Sequence, residues 1–233
     1  TSCFARLGKW NFSSPSLMPN LAVIDPRLLR EGPSGALGAA LVSALATAVE
    51  ACLAPARNPL SDVYAGVVIR LVAENACAAK KRTLVLAPAA NALCLSGVVL
   101  SNTARGPASR LAVALSAKAP IREAAAMAVL LPHAAAFLAG KHPAAAAELL
   151  LPLAGADAFT GTPPGERPAE VAPRLRSLIL ALAGADAPPA SLDAAGLSKE
   201  TLPEAARLAA CGDGGLSEAD GLAILSLAWK GTP

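Results

Sequence analysis

Two histidines are the side chains in this sequence best suited to metal or acid–base chemistry. His133 and His142 lie nine residues apart across Gly140, so they do not share one face of a helix. No H-x-x-x-H pair and no cluster of carboxylates with histidines accompanies them, and zinc, iron and manganese sites require such clusters. His133 follows Pro132 in an apolar segment, so we interpret it as a core or boundary residue rather than a base. His142 stands beside Lys141 and is interpreted as a surface residue of a loop.

Other patterns that support catalysis are weak. The glycine-rich run 212–215 has no strand before it and no Lys-Ser/Thr after it, so we interpret it as a turn between helices rather than a phosphate loop. Asp157, Asp186 and Asp193 lie in segments rich in Gly, Ala and Pro, where aspartate usually serves turns and helix caps. There is no G-x-S-x-G motif for a nucleophilic serine. The sequence therefore nominates no catalytic residue and no residue that binds a cofactor.

The cysteines indicate a reducing compartment. They are odd in number, widely separated and mostly in apolar surroundings, and none belongs to a C-x-x-C pair. We interpret them as small buried hydrophobic residues, with ligation of a metal cluster as the alternative. An intracellular protein is expected, in the cytoplasm or in the matrix of an organelle. The five are Cys3, Cys52, Cys77, Cys94 and Cys211.

The composition predicts an all-α protein with one large core. Of the 233 residues, 54% are hydrophobic and 3% aromatic, and the apolar residues are mostly Ala and Leu, which favour closely packed helices. The net charge of +3 is spread along the chain, so no nucleic-acid partner is expected. Lys80-Lys81-Arg82 is interpreted as a solvated helix end.

Apolar spacing and turn residues divide most of the chain into helices. Leu37, Leu41, Leu45 and Val49 recur at spacings of four, which predicts the first helix. Ser217, with Asp220 three residues later, resembles a capping box at the start of the last one. The clearest predicted loop is 160–168, with three Pro and two Gly. Helices are predicted over 36–53, 61–77, 84–104, 109–115, 121–138, 143–153, 170–182, 202–210 and 219–229.

Two further expectations concern the ends and the membrane. Residues 1–34 are predicted to form an extended, partly β N-terminal segment, because prolines interrupt them, and residues 35–233 a helical domain. Residues 84–104 carry no charge and are long enough to cross a bilayer. Interrupting polar residues and the absence of flanking aromatic residues favour a helix buried on all sides, so no membrane span is expected.

Five segments, taken in order, resemble a known family. An extended segment with Pro19 leads into Asp25-Pro26, and the helix at 44–50 ends in Ala48-Val49-Glu50, as in a D-A-L-x-H-A-x-E helix. Asn58 to Asp62 resembles the next helix start in that family. Residues 96–102 and 128–133 are similar to its A-G-x-x-x-x-N and A-x-L-L-P-H segments. The chain thus resembles the C-terminal helical domain of the iron-containing alcohol dehydrogenases, which has a dehydroquinate synthase-like fold.

The resemblance implies a metal site whose ligands have changed. Members of the family bind a divalent metal, typically iron, through one Asp and three His. Carried over along the motifs, the Asp position falls on Ser43 and the three His positions fall on Thr47, Ser109 and Glu123. All four have changed and only Glu123 could still coordinate a metal, so neither a metal nor another cofactor is expected. Members also bind NAD(P) in an N-terminal Rossmann-like domain, and no segment here shows its alternation of strands and helices.

Two functions follow as hypotheses. The lost ligands favour a non-catalytic structural or interaction subunit, derived from the enzyme domain and held in a complex or a homo-oligomer. The alternative is the substrate-side domain of an NAD(P)-dependent oxidoreductase whose nucleotide domain lies outside this chain. Residues 4–18, with Trp10 and Phe12, are expected to form part of a protein contact, or else a strand packed on its own domain. Arg110 and Glu123 are expected to pair across the former metal cleft, or to be solvated on separate faces.

Overall fold

An antiparallel hairpin opens the described part of the chain. The computed structural model describes residues 3–7, 10–14, 16, 20–29, 35–55, 57–80, 86–183, 187–211 and 215–231, and only the backbone of 3–7, 10–13 and 77–80. Strand β1 (Cys3–Leu7) pairs with β2 (Trp10–Ser14), with Cys3 opposite Ser14 and Leu7 opposite Trp10. Residues 21–25 then run without regular structure into a 3₁₀ turn at Pro26–Leu29.

Ten helices make up the rest of the described structure, which confirms the all-α prediction. Each of the nine predicted helices is present, with ends that differ by at most a few residues. Ser217 caps the last one by accepting a hydrogen bond from the amide of Asp220 at 3.0 Å, as predicted. The helices are α1 Ala36–Cys52, α2 Pro59–Lys80, α3 Leu86–Asn102, α4 Pro107–Lys118, α5 Glu123–Lys141, α6 Pro143–Ala154, α7 Ala156–Gly161, α8 Arg167–Ala183, α9 Thr201–Ala210 and α10 Glu218–Lys230.

Helices α1 and α5 form the centre of the core. Helix α1 packs against α2, α3, α4, α5, α6 and α8, and α5 packs against α1, α4, α6, α8 and α10. The predicted stripe on α1 is buried, since Leu41, Leu45 and Val49 are each 0% exposed. Alanines fill much of the remaining interface, and their small side chains let the helix backbones approach closely. The buried residues of these two helices are therefore surrounded by other helices.

The prediction that residues 84–104 form a helix buried on all sides is wrong. Helix α3 buries only Ala89, Ala90, Ala92 and Val99, and one of its faces is exposed. The buried central helix is α5, in which twelve of nineteen residues are buried and Pro132 is accommodated inside. Composition alone identified an uncharged helix but not its place in the packing.

A short helix also occupies part of the predicted loop. Helix α7 ends at Gly161, and α8 begins at Arg167, so the irregular connection is shorter than residues 160–168. The predictions for Lys80-Lys81-Arg82 and for the glycine run 212–215 lie wholly or partly outside the described side chains. The division into residues 1–34 and 35–233 stays a prediction.

One described helix is long and apolar enough to cross a membrane by itself. This is α5, and 67% of its most apolar stretch is buried inside the protein, as the central helix of a helical core requires. Helices α3 and α4 meet those criteria only as a joined pair, and they are bent by 97° relative to each other.

Candidate functional site

The first two predicted ligand positions lie one turn apart on α1. The hydroxyl of Ser43 donates a hydrogen bond to the carbonyl of Ala39 at 3.1 Å, and that of Thr47 donates to the carbonyl of Ser43 at 3.0 Å. Both side chains are partly exposed. Each hydroxyl proton is therefore used within the helix, as is common for Ser and Thr in helix interiors.

Glu50, on the turn of α1 after Thr47, is the one buried carboxylate of the described core, with an exposure of 3%. It accepts a hydrogen bond from the Ser109 hydroxyl, and further bonds from the backbone amides of Ala108 and Ser109. These amides belong to the first turn of α4, whose N–H groups have no partner within the helix. Glu50 thus caps α4 from another helix, and we call this arrangement the Glu50–Ser109 tie.

The start of α4 is shaped to receive this carboxylate. Gly106 is the N-cap residue and offers no side-chain cap, and Pro107 follows it at the first helical position. A β-carbon on Gly106 would lie 2.5 Å from the Cβ and Cδ atoms of Glu50. Only glycine leaves room for Glu50 at this point, so the sequence of the turn and the buried acid depend on each other.

Burial has the largest influence on the pKa of Glu50. It raises the pKa of the carboxyl from its ordinary 4.5 to about 7, because the charged form loses its hydration. The hydrogen bonds from Ser109 and Ala108 act in the opposite direction, and the charge of Arg105 adds to them. The carboxyl therefore changes charge near neutral pH.

Ser109 connects the tie to α5. It is 4% exposed, and its Oγ lies 3.7 Å from Sδ of Met127, which stands one turn beyond Glu123 on α5. Glu123 itself is the first residue of α5, and its carboxylate lies 3.9 Å from Arg105. The predicted pair between Arg110 and Glu123 stays a prediction. The contacts of Ser109 thus bring α1, α4 and α5 together where the resemblance places a metal.

The donor atoms at these positions do not fit the metal that the family implies. The hydroxyls of Ser43, Thr47 and Ser109 all donate to protein oxygens, and none of the three side chains offers a histidine nitrogen. Within the described ranges, no three His, Cys, Asp or Glu side chains lie close enough to hold a metal ion.

The histidines lie elsewhere. His133 is buried in α5 as predicted, with an exposure of 7%, and burial followed by the charge of Arg176 lowers its pKa. His142 is the junction residue between α5 and α6 and is half-buried. Asp157 lies in the first turn of α7, and the Asp193 carbonyl accepts from a turn amide, whereas Asp186 lies outside the described residues.

The expectation of buried cysteines is only partly met. Cys52 is buried, and burial is the main cause that raises its pKa to about 12. Cys94 and Cys211 are exposed, which corrects the prediction, and all three are free thiols. The side chains of Cys3 and Cys77 lie outside the described set.

Glu50 is the residue whose role the sequence analysis missed. The signal was present, because Glu50 is the only charged residue between Ala36 and Leu53. A lone acid in an otherwise apolar buried helix requires hydrogen-bond donors from elsewhere in the fold. Its donors lie 58 and 59 residues away, so no local pattern could name them.

Comparison with known proteins identifies the family. Residues 39–222 match the C-terminal domain of the Fe-containing alcohol dehydrogenase family, and the chain belongs to this family. This confirms the resemblance seen in the sequence. Maleylacetate reductase 2 of Cupriavidus pinatubonensis is 33% identical over 132 residues, which cover 53% of this chain and 35% of that protein.

Solved structures agree with this assignment. Maleylacetate reductase from Agrobacterium tumefaciens is 25% identical with a TM-score of 0.70, over 96% of this chain and 61% of the solved one. An iron-containing alcohol dehydrogenase from Corynebacterium glutamicum has a TM-score of 0.79 at 17% identity, over 100% of this chain and 63% of the solved one, which shows the shared fold. The chain thus spans less than two thirds of the length of these relatives.

Proposed function

We propose that this chain is the substrate-side helical domain of an oxidoreductase that works without the metal site of its family. Support comes from the family match and from the relatives, which are named as reductases and dehydrogenases. The domain's part would be to bind and orient the substrate. NAD(P) would be held by a nucleotide-binding domain, whether joined to this chain or separate from it, and would supply the hydride.

The Glu50–Ser109 tie is the observation that supports the proposal that this domain works without a metal. Ser109, which the resemblance places at a ligand-histidine position, is buried and donates a hydrogen bond from its hydroxyl to Glu50. A hydrogen bond between side chains here joins α1 and α4. A site that had merely lost its ligands would leave buried polar groups without partners, which is costly, whereas this one is satisfied.

The contact with a nucleotide-binding domain is proposed on residues 20–29. Four large hydrophobic side chains in this segment are exposed, among them Leu21 at 79%, Val23 at 80% and Leu28 at 70%. Residues 21–25 are not part of a helix or strand, so backbone groups are available to extend a sheet. The contact expected on residues 4–18 stays a prediction, because the side chains of Trp10 and Phe12 lie outside the described set.

The test is to purify the protein from its own cells with everything attached to it. Native mass spectrometry would identify a nucleotide-binding polypeptide, and NAD(P)H oxidation would be followed with maleylacetate and with simple aldehydes. We expect turnover that persists after dialysis against a chelator. Loss of turnover on chelation, with recovery on adding iron, would contradict metal independence.

A non-catalytic interaction subunit is the second candidate. The change at all four ligand positions favours it, and the exposed residues 20–29 would serve a structural partner equally well. In that case the purified assembly contains another protein or a second copy of this chain, but no nucleotide-binding polypeptide and no turnover with either substrate. Free exposed thiols at Cys94 and Cys211 fit the intracellular location that we propose in both cases.

A further inference from the structure

The N-terminal end of α1 lines a cavity that shares no residue with the Glu50–Ser109 tie. It has a volume of about 90 Å³ and lies between the start of α1, the start of α5 and the end of α8. About 10–15 Å³ of such space admits one water molecule, so the cavity has room for several waters or for a small carboxylic acid. Its lining includes Val42, Arg122, Ala125, Ala128, Ile179 and Pro188.

Small residues on α5 keep this cavity open. Ala124, Ala125 and Ala128 face it from the first two turns of α5, where a larger side chain would fill the space. On the opposite side, Gly38 packs directly on the carbonyl of Leu182, so α1 and α8 are fixed relative to each other. Apart from Arg122 and backbone groups, the described lining residues are apolar, and the helices that form the walls belong to the core.

Among the residues that the structure describes, Arg122 is the only charged one that lines the cavity. It is exposed and forms no ion pair within the part of the chain that the structure describes, while the neighbouring Glu123 lies 3.9 Å from Arg105. The N-termini of α1 and α5 also open here, and neither has a side-chain cap. Ala183, at the C-terminal end of α8, lines the cavity too, so the positive ends of two helix dipoles and the negative end of one lie at the cavity.

We propose that this cavity binds a short-chain carboxylic acid, with the carboxylate on Arg122 and the carbon chain against Val42 and Ile179. An arginine at the rim of an apolar pocket selects a carboxylate because its planar fork can donate two hydrogen bonds. The inference rests on the proposed function and deepens it, since it makes the substrate of this domain an acid rather than a neutral alcohol.

Methyl NMR of the full chain tests the site without any enzymatic activity. The probe is propionate, and propionamide is the matched neutral control because it has nearly the same shape. We expect saturable shifts of the methyl signals of Val42 and Ile179 with propionate, and no shift of the remote Ile224. Equal shifts with propionamide, or no saturable shift with propionate, would overturn the proposal.

Two variants locate the binding. Arg122→Gln should weaken propionate binding about tenfold or more, as expected when a hydrogen bond to a charged group is lost. Arg207→Gln, at an exposed arginine on α9, should leave it unchanged. Ala125→Leu should abolish binding by filling the cavity, which keeps the test valid if the first variant folds poorly. Unchanged affinity in both Arg122→Gln and Ala125→Leu would refute the site.

The experiments can reject the acid-binding site and the oxidoreductase function independently of each other. Propionate binding without a nucleotide-binding partner or turnover would leave the acid site standing and reject the oxidoreductase function. Turnover of aldehydes together with no propionate binding would support the function and reject the acid site.

Discussion

Two neighbouring regions along α1 differ in whether their polar groups find partners within the described protein. At the Glu50–Ser109 tie, a buried acid meets donors from α4, and Gly106 fits against it without a gap. At the cavity near the start of α1, alanines leave space and Arg122 has no described ion-pair partner. The polar groups of the first region are satisfied by the protein itself, whereas the second offers charge and volume to a ligand. On our proposal, the position where the resemblance places a metal serves structure, and ligand binding belongs to the cavity.

The largest expected effect comes from removing the acid of the tie. Glu50→Ala leaves the amides of Ala108 and Ser109 without an acceptor and opens a void, so we expect a loss of about 3 kcal/mol in the free energy of unfolding at pH 5. Urea denaturation measures it. Glu74→Ala, at an exposed carboxylate on α2, is the control and should change stability by less than about 0.5 kcal/mol. Equal effects of the two variants would show that the tie contributes no stability.

The second effect is a dependence of stability on pH. The pKa of Glu50 is about 7 in the folded protein and near 4.5 when unfolded, so its contribution is full below pH 4.5 and is lost as the pH rises through 7. We expect this group to lower the free energy of unfolding by about 2 kcal/mol between pH 5 and pH 8. Glu50→Gln should remove that decline, and a decline of the same size in the variant would assign it to other groups.

Ser109 should contribute less than Glu50. Ser109→Ala removes one hydroxyl donor but keeps both backbone amides on the carboxylate, so a loss of about 1.5 kcal/mol is expected at pH 8, where Glu50 is charged. Thermal unfolding at pH 8 and pH 5 would measure it. A larger loss at pH 5 than at pH 8 would contradict a role in solvating the charged form.

The smallest effect on stability is expected at residues 20–29. Leu21→Asp changes a side chain that is 79% exposed, so the free energy of unfolding should change by less than about 0.5 kcal/mol. Where the nucleotide-binding domain is a separate polypeptide, its recovery in the purified assembly should nevertheless fall sharply. Arg27→Ala, in the same segment but outside the apolar face, is the control. Unchanged recovery with Leu21→Asp would move the contact elsewhere.

Local patterns predicted the helices well but not their arrangement. The spacing of Leu41, Leu45 and Val49 reports which face of α1 is buried, because that face depends on neighbours within the helix. An uncharged helix such as α3 gives no sign of whether other helices surround it. Helix α7 was missed because it is only six residues long and runs into a segment rich in proline and glycine.

The candidate site was predicted in part. The resemblance named Ser43, Thr47, Ser109 and Glu123, and the structure joins the helices that carry them through Ser109. The resemblance could not predict the hydrogen bond from Ser109 to Glu50, because the two residues are 59 positions apart in the sequence. Nor could it predict the cavity, which forms only where three helix ends meet. Such contacts between distant segments are set by the packing of whole helices.

Metal content tests the central claim most directly. The full chain would be loaded with iron under anaerobic conditions, passed over a desalting column and analysed for its elements, with a Cys94→Ser/Cys211→Ser variant alongside to remove binding by exposed thiols. We expect less than about 0.1 metal ion per chain in both proteins, because several ligands of the metal are lost. One tightly held ion per chain in the cysteine variant would show that the domain still builds a metal site, and would contradict the account.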